Sequence, residues 1–162
     1  MKNIKIVISI LILLQSNYLL ADSCEQTIES NDMLQFNLKE MAISSDCSEV
    51  TVILKHTGQL PVNIMGHNWV LTDTNDFMAV AQAGGAAGPA AGYLPEGDSR
   101  VIAASSMIGG GETTSVTFST NSLGTSGDYT FFCSFPGHYA IMKGSFKTVS
   151  YTHLTLPTIL LV

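Results

Sequence analysis

Four side chains that offer metal-binding atoms lie in two short, distant segments of the sequence. Cys133, His138 and Met142 follow one another in CSFPGHYAIM with the spacing C-x4-H-x3-M. His67 lies in the earlier segment VNIMGHNWV. The Pro-Gly pair after Cys133 predicts a turn that folds His138 back towards the sulfur. Two imidazoles, a thiolate and a weak thioether together form the ligand set of a blue-copper site.

Copper suits this set of side chains better than zinc does. Zinc favours four firm ligands from Cys, His and carboxylate and gains little from a thioether. Copper(I) accepts both sulfurs, and copper(II) accepts the two imidazoles and the thiolate. A site that suits both oxidation states moves little when an electron is gained or lost.

Each of these residues also has an ordinary structural interpretation, because single buried Cys, His and Met side chains usually only pack. That interpretation does not explain the number of cysteines. The sequence has three, and bridging Cys24 to Cys47 would tie two neighbouring strands and leave Cys133 as a free thiol in an exported protein. Between Cys24 and Cys47, the sequence predicts a strand over residues 33–38, followed by a turn and a second strand.

Export is predicted from residues 1–21, which have the pattern of a cleavable secretory signal peptide. Lys2 and Lys5 precede an apolar run at 6–14, and Ala21 is a small residue at the expected cleavage point. The polar residues 15–17 leave the apolar run too short to span a bilayer. We therefore expect a periplasmic protein that is not inserted in the membrane after cleavage.

The charge of the chain excludes one class of partner. The formal net charge of the 162 residues is −6. Without Lys2 and Lys5, five basic residues face thirteen acidic ones, which gives 5 − 13 = −8. Such a surface cannot neutralise a phosphate backbone, so nucleic acid is not an expected partner.

The segment between the two ends has the length of one domain, residues 22–149, and is mostly β. Apolar residues alternate in 48–56 and in 113–120, and two further strands are predicted at 128–134 and 144–149. Turn signals separate them at regular intervals, which is typical of a Greek-key sandwich or barrel. The exception lies between 76 and 92, where a helix is predicted first and a loop from Gly84 onwards.

Several of these segments resemble the azurins, a family of bacterial cupredoxins. The resemblance runs from about Cys24 to Lys147, through MGHNWVL, YLPEGDSRVIA, SVTF and YTFFCSFPGHYAIMKG. It implies an all-β, eight-stranded Greek-key sandwich with one short helical or loop excursion around residues 74–92. It also implies one copper ion with the following ligands and a disulfide: His67, Cys133 and His138 as equatorial ligands, Met142 as a long axial ligand, the Gly66 carbonyl as a weak contact, and a Cys24–Cys47 bridge.

The residues beside the candidate ligands have predicted supporting roles. The Asn68 side chain is placed to tie the His67 segment to the Cys133 loop, although a simple turn residue is an equal alternative from the sequence alone. Backbone N–H groups near Asn68 and Phe135 are candidates to stabilise the thiolate. Trp69 is predicted to fill the core, and His56 to be structural or titrating rather than a ligand.

A docking surface is predicted where the outer edge of the His138 ring reaches an apolar part of the surface. Its other predicted members are Pro136, Ala140, Met33, Leu60 and Met65. A small apolar patch suits brief contacts with redox proteins. The expected partners are a cytochrome c-type donor or acceptor, a reductase or an oxidase, and the protein is expected to be a monomer.

Two other classes of function compete with electron transfer. A copper enzyme would need a second, catalytic copper centre, commonly connected through a histidine beside the ligand cysteine. Cys133 is flanked instead by Phe132 and Ser134, so the chain is not expected to be an enzyme. A periplasmic copper-binding or trafficking protein is the main alternative, and a zinc-stabilised binding module is a third possibility.

The sequence departs from the usual azurin pattern at three places. Ala104 stands where azurins often have a surface histidine, and the Ala/Gly-rich stretch 81–92 replaces more polar sequence. The tail 150–162, SYTHLTLPTILLV, extends beyond the last strand. We interpret this tail as non-native, because SYTHLTLPT resembles translated sequencing-adapter read-through; a short family-specific extension is the alternative.

Overall fold

A computed structural model describes residues 24–121, 123–124 and 127–150. The predicted signal peptide at 1–21 and the tail after Ser150 lie outside the described residues. Among the described residues, no helix has both the length and the hydropathy needed to cross a membrane.

Two β-sheets pack face to face, as the sequence predicts. The described strands are β1 (Glu25–Asn31), β2 (Gln35–Phe36), β3 (Glu40–Ser44), β4 (Glu49–His56), β5 (Val70–Asp73), β6 (Ala103–Ala104), β7 (Thr113–Ser119), β8 (Tyr129–Phe132) and β9 (Lys143–Val149). One sheet has the order β2-β1-β4-β7 and the other β3-β9-β8-β5-β6. The β-sandwich is therefore confirmed. The resemblance implies eight strands, whereas the described part of the chain has nine, of which β2 and β6 have only two residues each.

Alternating apolar residues turn one face of each sheet inward. In β4, Val50, Val52 and Leu54 are fully buried, while the residues between them are partly exposed. The core between the sheets is centred on Trp69, whose ring lies 5.9 Å from that of Phe118. The indole is fully buried, and its Nε1 has no hydrogen-bond partner among the described residues. Trp69 thus fills the core, as expected.

The prediction of a strand at 33–38 was wrong for most of that segment. Leu34 has a φ of +60°, in the left-handed region, and lies in a turn with Met33. A left-handed residue cannot continue a pleated strand. Only Gln35 and Phe36 pair with β1, and the following strand begins at Glu40.

The predicted excursion around 74–92 is helical for longer than expected. Helix α2 runs from Phe77 to Ala87 and continues through Gly84, where a loop was predicted to start. Its buried residues, Phe77, Val80, Ala81 and Gly84, recur at helical spacing. Glycine fits at 84 because a Cβ there would lie 2.2 Å from the Tyr93 carbonyl oxygen. Gly84 and Gly85 therefore lie inside the helix, and a 3-10 turn at Pro89–Ala91 follows it.

The predicted disulfide is present between Cys24 and Cys47. Cys24 immediately precedes β1 and Cys47 lies just before β4, and these two strands are parallel neighbours. The bridge therefore ties together the amino-terminal ends of two adjacent strands. The carboxyl-terminal end of β1, at Asn31, lies beside the candidate metal centre.

Candidate metal centre

The four candidate ligands are brought to one end of the sandwich by the ends of its strands. His67 follows the short helix α1 (Val62–Met65) and forms an isolated bridge with Ile108. Cys133 is the first residue after β8, and His138 begins a 3-10 turn (His138–Ala140). The predicted strand at 128–134 is thus shorter than expected, and its end places Cys133 in the site.

Three donor atoms form a small buried triangle. The Cys133 Sγ lies 3.7 Å from the Nδ1 of His67 and 3.7 Å from the Nδ1 of His138. The two Nδ1 atoms lie 3.2 Å apart. All three residues are buried, and among the described residues this is the group of Cys, His and acidic side chains that has metal-ligand spacing.

These distances fit an ion near the centre of the triangle. With metal–nitrogen bonds of about 2.0–2.1 Å and a metal–sulfur bond of about 2.3 Å, ligands about 120° apart place nitrogen and sulfur roughly 3.7–3.8 Å from each other. Both sulfur–nitrogen distances agree with that value, and the nitrogen pair is somewhat closer. A trigonal His2Cys arrangement is the geometry of blue-copper sites.

The residues of the two predicted axial groups lie close in the structure to the residues of the triangle. Met142 is fully buried; its carbonyl accepts a 3.0 Å hydrogen bond from the Cys133 N–H, and its own N–H donates to the His138 carbonyl at 2.8 Å. These two bonds hold the methionine in the ligand loop. The Gly66 carbonyl oxygen lies 3.8 Å from the Cys133 Sγ. Both groups therefore belong to the same end of the molecule as the three donors.

Burial keeps both imidazoles neutral. Desolvation lowers the pKa of His67 from 6.5 to about 4, and the hydrogen bond to the Asn31 carbonyl acts in the opposite direction. Desolvation likewise lowers the pKa of His138 to about 4. A neutral imidazole is the form that binds metal, so both rings have the correct protonation state at neutral pH.

Burial has a different consequence for the Cys133 thiol, because it keeps this group in the form that does not bind metal. Burial raises the pKa of Cys133 from 9.0 to about 12, although the backbone N–H groups of Asn68 and Phe135 favour the thiolate. In the metal-free protein at neutral pH the sulfur is therefore protonated. Metal binding has to displace that proton, because the thiolate is the ligand.

Asn68 connects the two segments that carry the donor atoms. Its Oδ1 accepts a 2.8 Å hydrogen bond from the Ser134 N–H, and its Nδ2 donates to the Ser134 Oγ at 2.8 Å. Both residues are buried. The pair therefore fixes the residue after His67 to the residue after Cys133. That Ser134 is the partner was not predictable from the sequence.

Two neighbours of His67 were not predicted. The ring Nε2 lies 3.0 Å from the Asn31 carbonyl oxygen, so Nε2 carries the proton and Nδ1 is left to face the sulfur. The ring also stacks on His56, with centroids 4.4 Å apart. His56 itself is held by the Met65 carbonyl and the Gly58 N–H. A backbone carbonyl has no sequence signature, so Asn31 was not recognisable in advance.

The predicted docking surface is mostly exposed. Met33 is 70% exposed and Leu60 38%, Pro136 and Ala140 are exposed, and Met65 is half-buried. His138 is buried, with 6% of its surface exposed. Its ring packs on Phe135 at a centroid distance of 4.5 Å.

A β-sandwich that holds two histidines, a free cysteine and a methionine at one end defines a small copper protein of the cupredoxin class. The family model described as copper binding proteins, plastocyanin/azurin family, matches residues 22–149. The chain belongs to this family.

Individual relatives agree with this assignment. The azurin of Bordetella pertussis is 53% identical over 130 residues, which cover 80% of this chain and 87% of the relative. The azurin of Alcaligenes faecalis is 51% identical over 125 residues, covering 77% and 98%. A solved azurin (Az-iso2) from the methylotroph Methylomonas sp. strain J superposes with a TM-score of 0.77 at 41% identity, and covers 79% of this chain and 99% of its own.

These findings confirm the resemblance to the azurins. They also confirm copper as the cofactor, since the family binds copper and the chain has a His-Cys-His site. The protein is a small blue-copper electron carrier, and its redox partners bind transiently.

Proposed function

We propose that His67, Cys133 and His138 hold the copper ion as equatorial ligands. Met142 is the long axial ligand, and the Gly66 carbonyl is a weak contact on the other side. The observation that supports this assignment is the donor triangle, whose sulfur–nitrogen distances of 3.7 Å match a trigonal metal site. When bound, copper supplies a centre that gains and loses one electron.

The chain's own residues keep the geometry the same in both oxidation states. The Asn31 carbonyl orients the His67 ring, and the bonds between Asn68 and Ser134 fix the Cys133 loop. The backbone N–H groups of Asn68 and Phe135 stabilise the electron-rich sulfur. A rigid site changes little in structure when an electron is gained or lost, and this favours electron transfer.

Electrons enter and leave through His138. Its Nδ1 faces the sulfur, so the opposite edge of the ring points away from the triangle, and the nearby loop residues Pro136 and Ala140 are exposed. The exposed side chains of Met33 and Leu60, with Met65, complete an apolar docking surface around that route. The proposed partners are a cytochrome c-type donor or acceptor, a reductase or an oxidase.

We also propose how the whole chain is organised and where the protein acts. Residues 1–21 are a signal peptide, residues 22–149 are the copper domain, and the tail 150–162 is not native. The mature protein is a periplasmic monomer that carries out no catalysis of its own. Sequencing the genomic locus through the stop codon tests the tail, since finding 150–162 encoded there would contradict this part of the proposal.

The ligand assignment is tested by reconstituting the mature chain with copper(II) and recording its visible spectrum. We expect an intense sulfur-to-copper band near the red end of the visible range, which disappears on one-electron reduction and returns on reoxidation. The band should be absent from Cys133→Ser. A matched control is the double variant Cys24→Ser/Cys47→Ser, which also loses sulfur but should keep the band.

The same experiment separates the alternatives. A colourless protein that binds only copper(I) would favour copper trafficking, and preferential retention of zinc without colour would favour a structural zinc module. An unchanged band in Cys133→Ser would overturn the ligand assignment.

A further inference from the structure

A cleft lies beside the candidate metal centre but outside the predicted docking surface. Its volume is about 500 Å³, within the range of small-molecule sites. It runs between helix α1 and the turn that follows helix α2. Its lining includes the side chains of Val62, Asn63, Pro89, Tyr93, Met107 and Phe135.

The chemistry of the lining selects for a neutral, apolar ligand. Among the described residues, no acidic or basic side chain lines the cleft. A charged ligand would lose hydration there without gaining a counter-charge. The Asn63 amide makes no hydrogen bond within the described residues, so it can serve a single polar group on the ligand.

The aromatic wall of the cleft is built before any ligand arrives. Tyr93 has a φ of +55°, a strained conformation for a side chain of its size. Its N–H donates to the Gly88 carbonyl at 3.0 Å, and its own carbonyl lies where a Cβ on Gly84 would clash. Helix α2 and the residue that follows it therefore fix the Tyr93 backbone, and the Tyr93 carbonyl explains why residue 84 is a glycine.

The same wall contacts the metal centre. The Tyr93 ring packs edge-on against Phe135, with centroids 5.1 Å apart and planes at 63°. Phe135 in turn packs on the ring of His138. A molecule in the cleft would therefore lie one aromatic ring away from a candidate copper ligand.

We propose that this cleft binds a small neutral aromatic molecule, which packs on Tyr93 and Phe135 and offers one hydrogen-bonding group to Asn63. The aromatic corner formed by the two rings favours a flat ring over an aliphatic chain, because aromatic pairs gain energy from edge-to-face contact beyond the buried area. This site is distinct from the predicted docking surface around Met33 and Leu60. The proposal does not depend on which residues bind the copper ion.

The test is a titration of the copper-loaded, reduced protein with indole, followed by two-dimensional NMR of the backbone amides. We expect saturable shifts at Asn63, Gly92, Tyr93 and Met107. Benzoate, a flat ring with a charge, should bind at least about tenfold more weakly because its carboxylate finds no partner. The visible band of the oxidised protein reports independently on the copper site.

Variants locate the binding site. Tyr93→Ala should weaken indole binding by about tenfold, from loss of one aromatic contact. Val62→Asp, at a position that is 43% exposed, should do the same by charging the rim without disturbing the core. Leu60→Ala is the matched control in the neighbouring docking surface and should leave the affinity unchanged.

Four results would overturn the proposal. These are the absence of saturable shifts with indole, equal binding of benzoate, equal loss of binding in Leu60→Ala, and shifts produced only by an apolar peptide. The last result would make the cleft part of a protein-docking surface.

Discussion

Strand β1 runs between two regions of the molecule. Each region contains cysteine, but the two are held together in different ways. At its start, Cys24 is bonded covalently to Cys47. At its end, roughly 20 Å away for a strand of this length, the Asn31 carbonyl orients His67 beside the free thiol of Cys133. The first region stabilises the fold, whereas the second buries three metal-binding groups whose charged forms are disfavoured there. The difference indicates that stability is supplied at one end and function is held at the other.

Removing the disulfide should have the largest effect on stability and almost none on colour. The bridge closes a sequence separation of 23 residues, and the loop-entropy model gives about 3 kcal/mol for a loop of this size. We expect Cys24→Ala/Cys47→Ala to lower the free energy of unfolding of the metal-free protein by about that amount, measured by urea titration. A loss of the copper band in the folded variant would show that the two ends are not independent.

Breaking the hydrogen bonds at the other end should have a smaller effect on stability and a clear effect on the site. In Asn68→Ala, the buried Ser134 N–H and Oγ lose their partner, which costs about 1–3 kcal/mol. We also expect a shifted reduction potential, measured by voltammetry, because the Cys133 loop is no longer fixed. Asn121→Ala is a suitable control at an exposed position. A potential unchanged in Asn68→Ala would mean that the loop is held by other contacts.

Acid should destabilise the metal-free protein through the histidines of the site. In the unfolded chain these rings bind protons below about 6.5, whereas in the folded protein the pKa values of His67 and His138 are about 4. Unfolded molecules thus bind more protons in this window, and the free energy of unfolding falls as the pH is lowered from 6.5 to 4. Thermal melts of wild type and His138→Gln check this, and an equally steep fall in the variant would contradict it.

Copper loading should release about one proton per copper ion at pH 7. The Cys133 thiol, with a pKa of about 12, is protonated beforehand, whereas both imidazoles are already neutral. A pH-stat titration of the metal-free protein with copper(II) measures the release. Two or more protons would show that a histidine was charged in the metal-free site.

Much of the fold was predictable because the sandwich follows from local patterns. The alternation of Val50, Val52 and Leu54 defines β4, and it is confirmed by their burial. Two segments did not follow local preference. Leu34 adopts a left-handed turn, and α2 continues through Gly84 because the Tyr93 carbonyl packs against it. In both cases a tertiary contact or turn overrides the propensity of the residue.

The candidate site was predictable only in part. The ligand spacing around Cys133 carries a chemical signature, so the donor atoms were recognised directly. The groups that orient them were recognised only in part, because the Asn31 contact uses a backbone carbonyl and Ser134 is one of many serines. The cleft was not recognisable, since its lining comes from four separated segments of the chain.

The distances between the three donor atoms indicate that the fold builds the donor triangle before copper arrives. Crystal structures of the mature protein without metal, with copper(II) and with copper(I) test this most directly. We predict that the Cys133 Sγ stays about 3.7 Å from both Nδ1 atoms in all three states. A metal-free structure in which His138 or Cys133 turns away from the site would contradict the claim.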